Sequence, residues 1–447
     1  MPLSIDDFDE VIRDFYSRTE LKISSLQRRE FCFDKTNRHH GFGSMDDLKE
    51  YINEKPPRVF YHSLARYFDP ARREPFATKK IDPDVHKTWV MEDKGFESID
   101  IGFDIDYDHL PNITSYRNGL EQASANAKRL HRFLTKDLGI DSEAISIRFS
   151  GNRGYHMVID DENLITMGAE ERTNIENYVR GDEVHLSGFI DVSNSKKVWS
   201  NPRGQYEYRL YPKGVPGWGG HFTDTFIELV DEYHQEHLTE EDRLNLLRSW
   251  IPIKQSINHS MFKRPKFVSD VKENIKEPTL LQIHNFLLNQ HVLRNLSKDW
   301  RLTHWAKSSG MKNAAIQHLI RMVVQQTQLR KGVEADQITK DLKRQLRAVG
   351  SLHTTSGLPC IEITYEMLDN VDKLFEHIRE SLGKDLVDVS VKNEVYVYPL
   401  DRHVVPGDYT VPRYEAYSIL CSDLAAEDAK KEKATTSTPE EADVAAE

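Results

Sequence analysis

The sequence predicts a mixed α/β (α+β) protein. Short strands alternate with helices at both ends of the chain, a mostly helical stretch fills the middle, and a polar tail closes it. Three observations carry this. Short strand-like runs fall at 57–67, 97–109, 145–150 and 155–159, with apolar and polar residues alternating at 103–108 and 145–150. Apolar residues three and four apart mark helices around them. From 222 to about 327 the strand signal gives way to helical spacing.

Residues 4–20 read as a first helix, and PRVFYHSLARY, 57–67, as a strand and turn. ESIDIGFDIDYDH, 97–109, is a strand broken by His109-Leu-Pro-Asn112. From about 115, Leu120, Ala123, Ala127, Leu130 and Leu134 form one apolar helical face, which Gly139 ends. Ile145, Ile147 and Phe149 alternate with Ser146, Arg148 and Ser150 as a strand. Gly151-Asn-Arg-Gly154 is a tight connection, and Tyr155 to Ile159 returns. A helix over 168–179 precedes a loop-rich stretch, 180–220, with Pro202, Pro212 and Pro216. Thr239-Glu-Glu-Asp242 has the pattern of a capping box. The stripe Ile316, Leu319, Ile320 and Val323 reads as core rather than partner surface. Strand signals return at 361–367 and 394–400. From about Glu427 the tail is polar, lacks aromatics and reads as disordered. The expected organisation is a core in two parts, 1–221 and 328–426, a helical insertion at 222–327 and a tail at 427–447.

The chain has 447 residues, 38% hydrophobic and 30% charged, which is ample for a packed core. Its formal net charge of −12 argues against a highly basic nucleic-acid coat but leaves room for a local basic patch. No apolar run approaches the ~20 residues of a membrane span. MPLSIDDFDEVIRDFY is acidic and not a signal peptide. Cys32, Cys360 and Cys421 are too scattered for a disulfide framework or a CxxC zinc site, which fits a cytoplasmic protein.

The chemistry starts with IGFDIDYDH. Asp104 and Asp106 alternate with Phe103, Ile105 and Tyr107, so the two carboxylates share one face of an extended chain. Like charges this close repel unless a proton or a cation intervenes. A hard ion, Mg²⁺ or Mn²⁺, takes such oxygens; solvated or capping acids are the plainer alternative. Asp108 lies where the strand has ended and reads as a capping or turn residue. SGNRGYH, 150–156, has two glycines for a tight turn whose N–H groups can nest an anion. Ser150, Arg153 and His156 can all bond phosphate oxygens; alternatively Arg153 pairs with a neighbouring acid. Metal acids beside a phosphate cradle suggest phosphoryl or nucleotidyl transfer.

In this order, MEDKGFESIDIGFDIDYDHLPN, IRFSGNRGYHMVI and LRAVGSLHTTSGL resemble the small catalytic subunit of archaeal and eukaryotic-type DNA primases. RREFCF, FYHSLARYFDP, NYVRG and VVPGDYTVPRY strengthen the likeness, which covers most of 7–425. The resemblance implies a primase catalytic core that makes short primers de novo from nucleoside triphosphates on single-stranded DNA. It also implies a large subunit as partner, which in this family carries an iron–sulfur cluster. Asp104 and Asp106 match the metal pair, and Ser150, Arg153 and His156 the triphosphate hairpin, with Asn152 where some members have a second arginine. Arg347 falls at a phosphate-contacting basic position, and His353 matches a second nucleotide-contacting histidine.

Two departures follow. Counted back from His353, the family's third catalytic aspartate falls on Ala335, between Glu334 and Asp336. A one-residue shift on a strand reverses the side chain, whereas a strand end or bulge absorbs it; Asp336 is the expected third metal ligand. The cysteines cannot supply the zinc knuckle many relatives carry, so no zinc is expected. Arg66 is a candidate for nucleotide or template contact. Lys263, Arg264 and Lys266 with Phe262 and Phe267 are either a single-strand track or a solvated loop. The rival readings are a primase-polymerase of the end-joining repair type, a non-catalytic nucleic-acid-binding subunit with this fold, and a DxD glycosyltransferase.

Overall fold

The computed structural model describes residues 2–72, 94–182, 184–194, 206–252 and 274–436. They form two compact units. The first draws on 1–131, 141–176 and 334–447, the second on 132–140 and 177–333. Helices and mixed sheets together make the protein α+β, as the sequence predicts. The helical stretch expected at 222–327 falls inside the second unit.

Two five-stranded sheets build the first unit. The strands used below are β1 Arg29–Phe33, β2 Asn37–His40, β3 Phe60–Tyr67, β4 Phe96–Ile99, β5 Ile101–Asp106, β6 Ile145–Phe149, β7 Gly154–Ile159, β8 Asp336–Gln337, β9 Gln345–Arg347 and β10 Ile361–Ile363. One sheet has the order β8-β5-β7-β6-β10; the other runs β9-β3-β1-β2, with β4 beside β3. Every pairing within the two is antiparallel. Val158 of the first sheet packs with Leu64, Ala65, Tyr67, Ile99 and Leu346 of the second, so the sheets share a core. The helix Tyr116–Arg132 covers the other face of the first sheet: its Ser124 hydroxyl donates to Tyr155 at 2.7 Å, and Leu120, Ala123 and Ala127 are fully buried.

The run 97–109, expected as one strand, serves both sheets. Phe96–Ile99 pairs with β3, and Ile101–Asp106 pairs with β7. The crossing point is Asp100, which is buried and held by Arg29 at 2.5 Å and Arg66 at 2.6 Å. Arg29 is itself fully buried and also donates to the Leu64 carbonyl at 2.5 Å. A buried ion pair of this kind clamps both sheets at the start of the aspartate strand.

Other boundaries shift by a few residues. The first helix spans Phe8–Arg18 after a 3-10 turn at Ile5–Asp7. The helix from Tyr116 continues into a π-helical turn, Phe133–Asp137, before Gly139 takes φ +70°. Of 361–367 only Ile361–Ile363 is strand, and of 394–400 only Val395–Val397. The tail differs more. Disorder was expected from 427, yet the helix Arg413–Thr436 runs through that point. Ala, Lys and Glu there are good helix formers, and Arg58–Asp428 at 2.8 Å and Lys430–Asn393 at 2.5 Å tie it down. The rest of the tail, 437–447, lies outside the described residues.

In the second unit the loop-rich stretch holds a short helix, Leu186–Phe189, and a hairpin of Asp191–Asn194 with Tyr206–Arg209. Thr239 and Asp242 form the expected capping box. Ile316, Leu319, Ile320 and Val323 are core, each at most 2% exposed.

Candidate active site

Asp104 and Asp106 leave β5 opposite to Phe103 and Ile105, which are fully buried. Gly102 shares the aspartate face. A Cβ there would meet Leu64 Cδ1 of β3 at 2.4 Å, so this face looks toward the second sheet.

Register turns that face into a row. Asp336 stands opposite Asp104, Asp104 opposite His156, His156 opposite Arg148, and Arg148 opposite Glu362. Directly opposed residues of an antiparallel pair share a face, and strands lie about 4.8 Å apart. Acids therefore hold one edge, with a histidine and an arginine behind them. Asp106 is opposite Gly154. A Cβ at Gly154 would meet the Ile105 carbonyl at 1.9 Å and Asp106 Oδ1 at 2.7 Å, so only glycine lets the hairpin close over this carboxylate.

The register also separates the neighbours of Ala335. Ala335 is buried at 3% exposure, and Asp336 is the residue that faces Asp104. Glu334 is held earlier in the chain, its backbone N–H donating to Asn126 Oδ1 at 3.1 Å.

Burial, then the charges of Asp106 and Asp336, push the Asp104 carboxyl up to about 7, against a smaller pull from Arg347. Its Oδ1 has no hydrogen-bond partner and lies 3.5 Å from His156 Nε2. Burial, with Arg347 and Arg148 nearby, lowers His156 to about 3, so the ring is neutral at pH 7. Among the described residues, no three His, Cys, Asp or Glu side chains are drawn together closely enough to hold a metal ion as they stand. The row instead offers crowded negative oxygens, with Asp104 Oδ1 lacking a hydrogen-bond partner. Their chemistry fits a hard divalent cation, provided the carboxylates of Asp106 and Asp336 turn toward a common point.

The hairpin between β6 and β7 lies next to the acids. Gly151 takes φ +85°, and the Ser150 N–H donates to the Gly154 carbonyl at 2.9 Å. Arg347 Nη1 donates to the Ser150 carbonyl at 3.0 Å, with its guanidinium 5.7 Å over the Tyr61 ring. The Ser356 hydroxyl donates to the Gly151 carbonyl at 2.5 Å, which docks the 350–359 loop on the hairpin and brings His353 beside it. His353 Nδ1 accepts from the Thr355 and Ser356 N–H groups at 3.3 and 3.4 Å, which leaves Nε2 as the donor. Burial, then Arg347, Arg153 and Lys35, lower this histidine to about 2. Arg153 is 46% exposed and pairs with Asp108, which sits in the 3-10 turn Tyr107–His109, off the strand. Buried Arg148 Nη1, His156 Nδ1 and Arg347 Nε join Asp104 Oδ1 in lacking hydrogen-bond partners. Such a concentration is unusual away from ligand sites.

The family model for the DNA primase small subunit matches residues 103–365, the stretch that supplies Asp104, Asp106, Arg148, the Ser150–His156 hairpin, Asp336, Arg347 and His353. The chain belongs to the DNA primase small subunit family. The chain is 25% identical to the DNA primase small subunit PriS of Methanothrix thermoacetophila, over 87% of this chain and 88% of the relative. For PriS of Methanococcoides burtonii the identity is 27%, covering 87% of each. For PriS of Pyrobaculum islandicum it is 32%, over 42% of this chain and 57% of that one. Membership carries a DNA primase role with nucleotidyltransferase-type chemistry, and a small primase subunit implies a large partner and a DNA template. Among the described residues no helix is long and apolar enough to cross a membrane.

Within this primase subunit, Arg66 is held by two carboxylates. It is 12% exposed and bonded to Asp100 and to Asp160 at 2.5 Å. The patch around Lys263 lies outside the described residues. Arg148 and Lys35 were not singled out from sequence. Arg148 is two residues before Ser150, so strand alternation alone puts both on one face. Lys35 comes from the β1–β2 turn, and no local signal links it to His353.

Proposed function

We propose that this chain is the catalytic subunit of a DNA primase that starts chains de novo, joining nucleoside triphosphates into short primers on single-stranded DNA with a large subunit as partner. The observation that carries the reading is the row Asp336, Asp104, His156 beside the Ser150–His156 hairpin. Asp104, Asp106 and Asp336 would hold Mg²⁺ or Mn²⁺, which in a two-metal scheme neutralises phosphate charge and makes the attacking hydroxyl more acidic.

The chain's own groups do the positioning. Arg153 and Arg347 put positive charge where the triphosphate tail gathers negative charge. His156 and His353, both neutral at pH 7, have ring N–H groups to donate to phosphate oxygens. The buried faces around them lower the local dielectric, which strengthens each contact. The 3′-hydroxyl of the growing strand attacks the α-phosphorus, the bond to the β-phosphate oxygen breaks, and pyrophosphate leaves. Asp336 opposite Asp104 favours this reading over a non-catalytic subunit, whose best support was a displaced third carboxylate.

The test is to incubate the purified chain, with and without its large subunit, with unprimed single-stranded DNA, labelled triphosphates and Mg²⁺ or Mn²⁺. Short labelled products that vanish with Asp104→Ala are expected. Extension of supplied primers without initiation would favour the repair-type primase-polymerase, and no incorporation at all would reject catalysis.

A further inference from the structure

Asp108 belongs to the same acidic run as Asp104 and Asp106 but has left their face. The strand ends at Asp106, and Tyr107–His109 turns away. The β5–β7 ladder is extended one bond past its last pair: the Tyr107 N–H donates to the Arg153 carbonyl at 3.2 Å. That bond sets Asp108 beside Arg153, and their side chains form an ion pair. Both remain open to solvent, Arg153 at 46% and Asp108 at 36% exposure. Among the described residues, Asp108 is the only carboxylate paired with Arg153.

We infer that Asp108 is a resident counter-ion for the triphosphate arginine: it holds Arg153 in place, yields it to an incoming polyphosphate, and takes it back as pyrophosphate departs. This rests on the reading of Arg153 as a phosphate ligand. Exposed ion pairs are weak, whereas a polyphosphate offers several negative oxygens and a bidentate match to guanidinium. The carboxylate therefore gives way, at a cost. The pair must open, and Asp108 then stays as an uncancelled negative charge beside the bound phosphates. Each part is worth a factor of a few at a solvent-exposed site, so neutralising Asp108 tightens polyphosphate binding by about three- to tenfold. Salt screens such exposed charges, so the gain shrinks as ionic strength rises. The same carboxylate favours release, because it competes for Arg153 against the leaving pyrophosphate.

The experiment titrates the full chain with ATP and, separately, with inorganic pyrophosphate by calorimetry in Mg²⁺, at low and high salt. The proteins are wild type, Asp108→Asn, Asp108→Glu, Arg153→Ala and the Asp108→Asn/Arg153→Ala double variant. Asp108→Asn is expected to bind both ligands about three- to tenfold more tightly at low salt, with little gain at high salt. Asp108→Glu keeps the charge and is expected to stay near wild type, and the gain is expected to disappear in the Arg153→Ala background. Unchanged binding in Asp108→Asn would make Asp108 a turn residue only and overturn the proposal. Weaker binding that more Mg²⁺ restores would make it a metal ligand and overturn it too. If Arg153→Ala binds ATP like wild type, the phosphate reading of that arginine falls as well; if that variant is weakened but Asp108→Asn gains nothing, only the counter-ion role falls.

Discussion

Replacing Asp104 by Asn is expected to stabilise the metal-free protein at pH 7.5 while ending synthesis. The native carboxyl is raised from 3.8 to about 7 by burial and by Asp106 and Asp336. Fully expressed, a shift of that size corresponds to about 4 kcal/mol. The side chain is 35% exposed, so solvent screening reduces the effect to about 1–2 kcal/mol. The sign follows from proton uptake. Between pH 3.8 and about 7 the native state holds a proton that the unfolded chain has lost, so this group's contribution to stability falls as pH rises through that window. Asparagine keeps the shape and removes the charge. At about 2–4 °C per kcal/mol for units of a few hundred residues, the melting temperature of the variant should exceed that of wild type by about 2–8 °C at pH 7.5 in EDTA. The gap should narrow near pH 4.5 and close only below the unfolded value of 3.8. Mg²⁺ or Mn²⁺ should then raise wild type, by about 2.7 kcal/mol at a hundred times the dissociation constant, and move the variant less. Thermal melts at the two pH values, with and without metal, measure all of this. An asparagine variant that melts below wild type in EDTA at pH 7.5, with an undiminished response to metal, would refute both the electrostatic strain and the cation site.

Three further outcomes are expected. Asp336→Asn should lower primer synthesis by 100-fold or more, as loss of a transition-state charge partner does, while Glu334→Gln stays within a few-fold of wild type; the reverse pattern in a gel assay would reassign the third acid. Arg29→Ala should destabilise the first unit by about 3 kcal/mol, read from urea melts, because it leaves the buried carboxylate of Asp100 with Arg66 as its remaining arginine. Gly154→Ala should abolish nucleotide binding or folding, since its Cβ would lie 1.9 Å from the Ile105 carbonyl; a variant with native melting and normal triphosphate affinity would contradict so close an approach of the two strands.

Period and turn chemistry, both short-range, made much of this protein readable from its residues. Alternation alone separated Asp104 and Asp106 from Phe103 and Ile105, and the glycines of SGNRGYH announced a hairpin beside them. Helical spacing found the buried stripe at Ile316 to Val323, and Thr239 with Asp242 marked a helix start. Local patterns do not say which strand lies next to which, or in what register. Counting residues fell on Ala335 and left two acids beside it, Glu334 and Asp336. Only the pairing of β8 with β5 put Asp336 across from Asp104, because a slip of one residue would have reversed its side chain. The sequence offered no partner for Arg66, which is tied to Asp100 and Asp160. Arg153 acquired Asp108 as its partner through a bond beyond the end of a ladder. The run from 97 to 109 divided between two sheets at a buried aspartate held by an arginine from far earlier in the chain. Hydrophobic period is written into neighbouring residues, so sequence determines which face a side chain takes. The partner of a charge and the register of a strand depend on contacts between distant segments, and those exist only once the chain has packed.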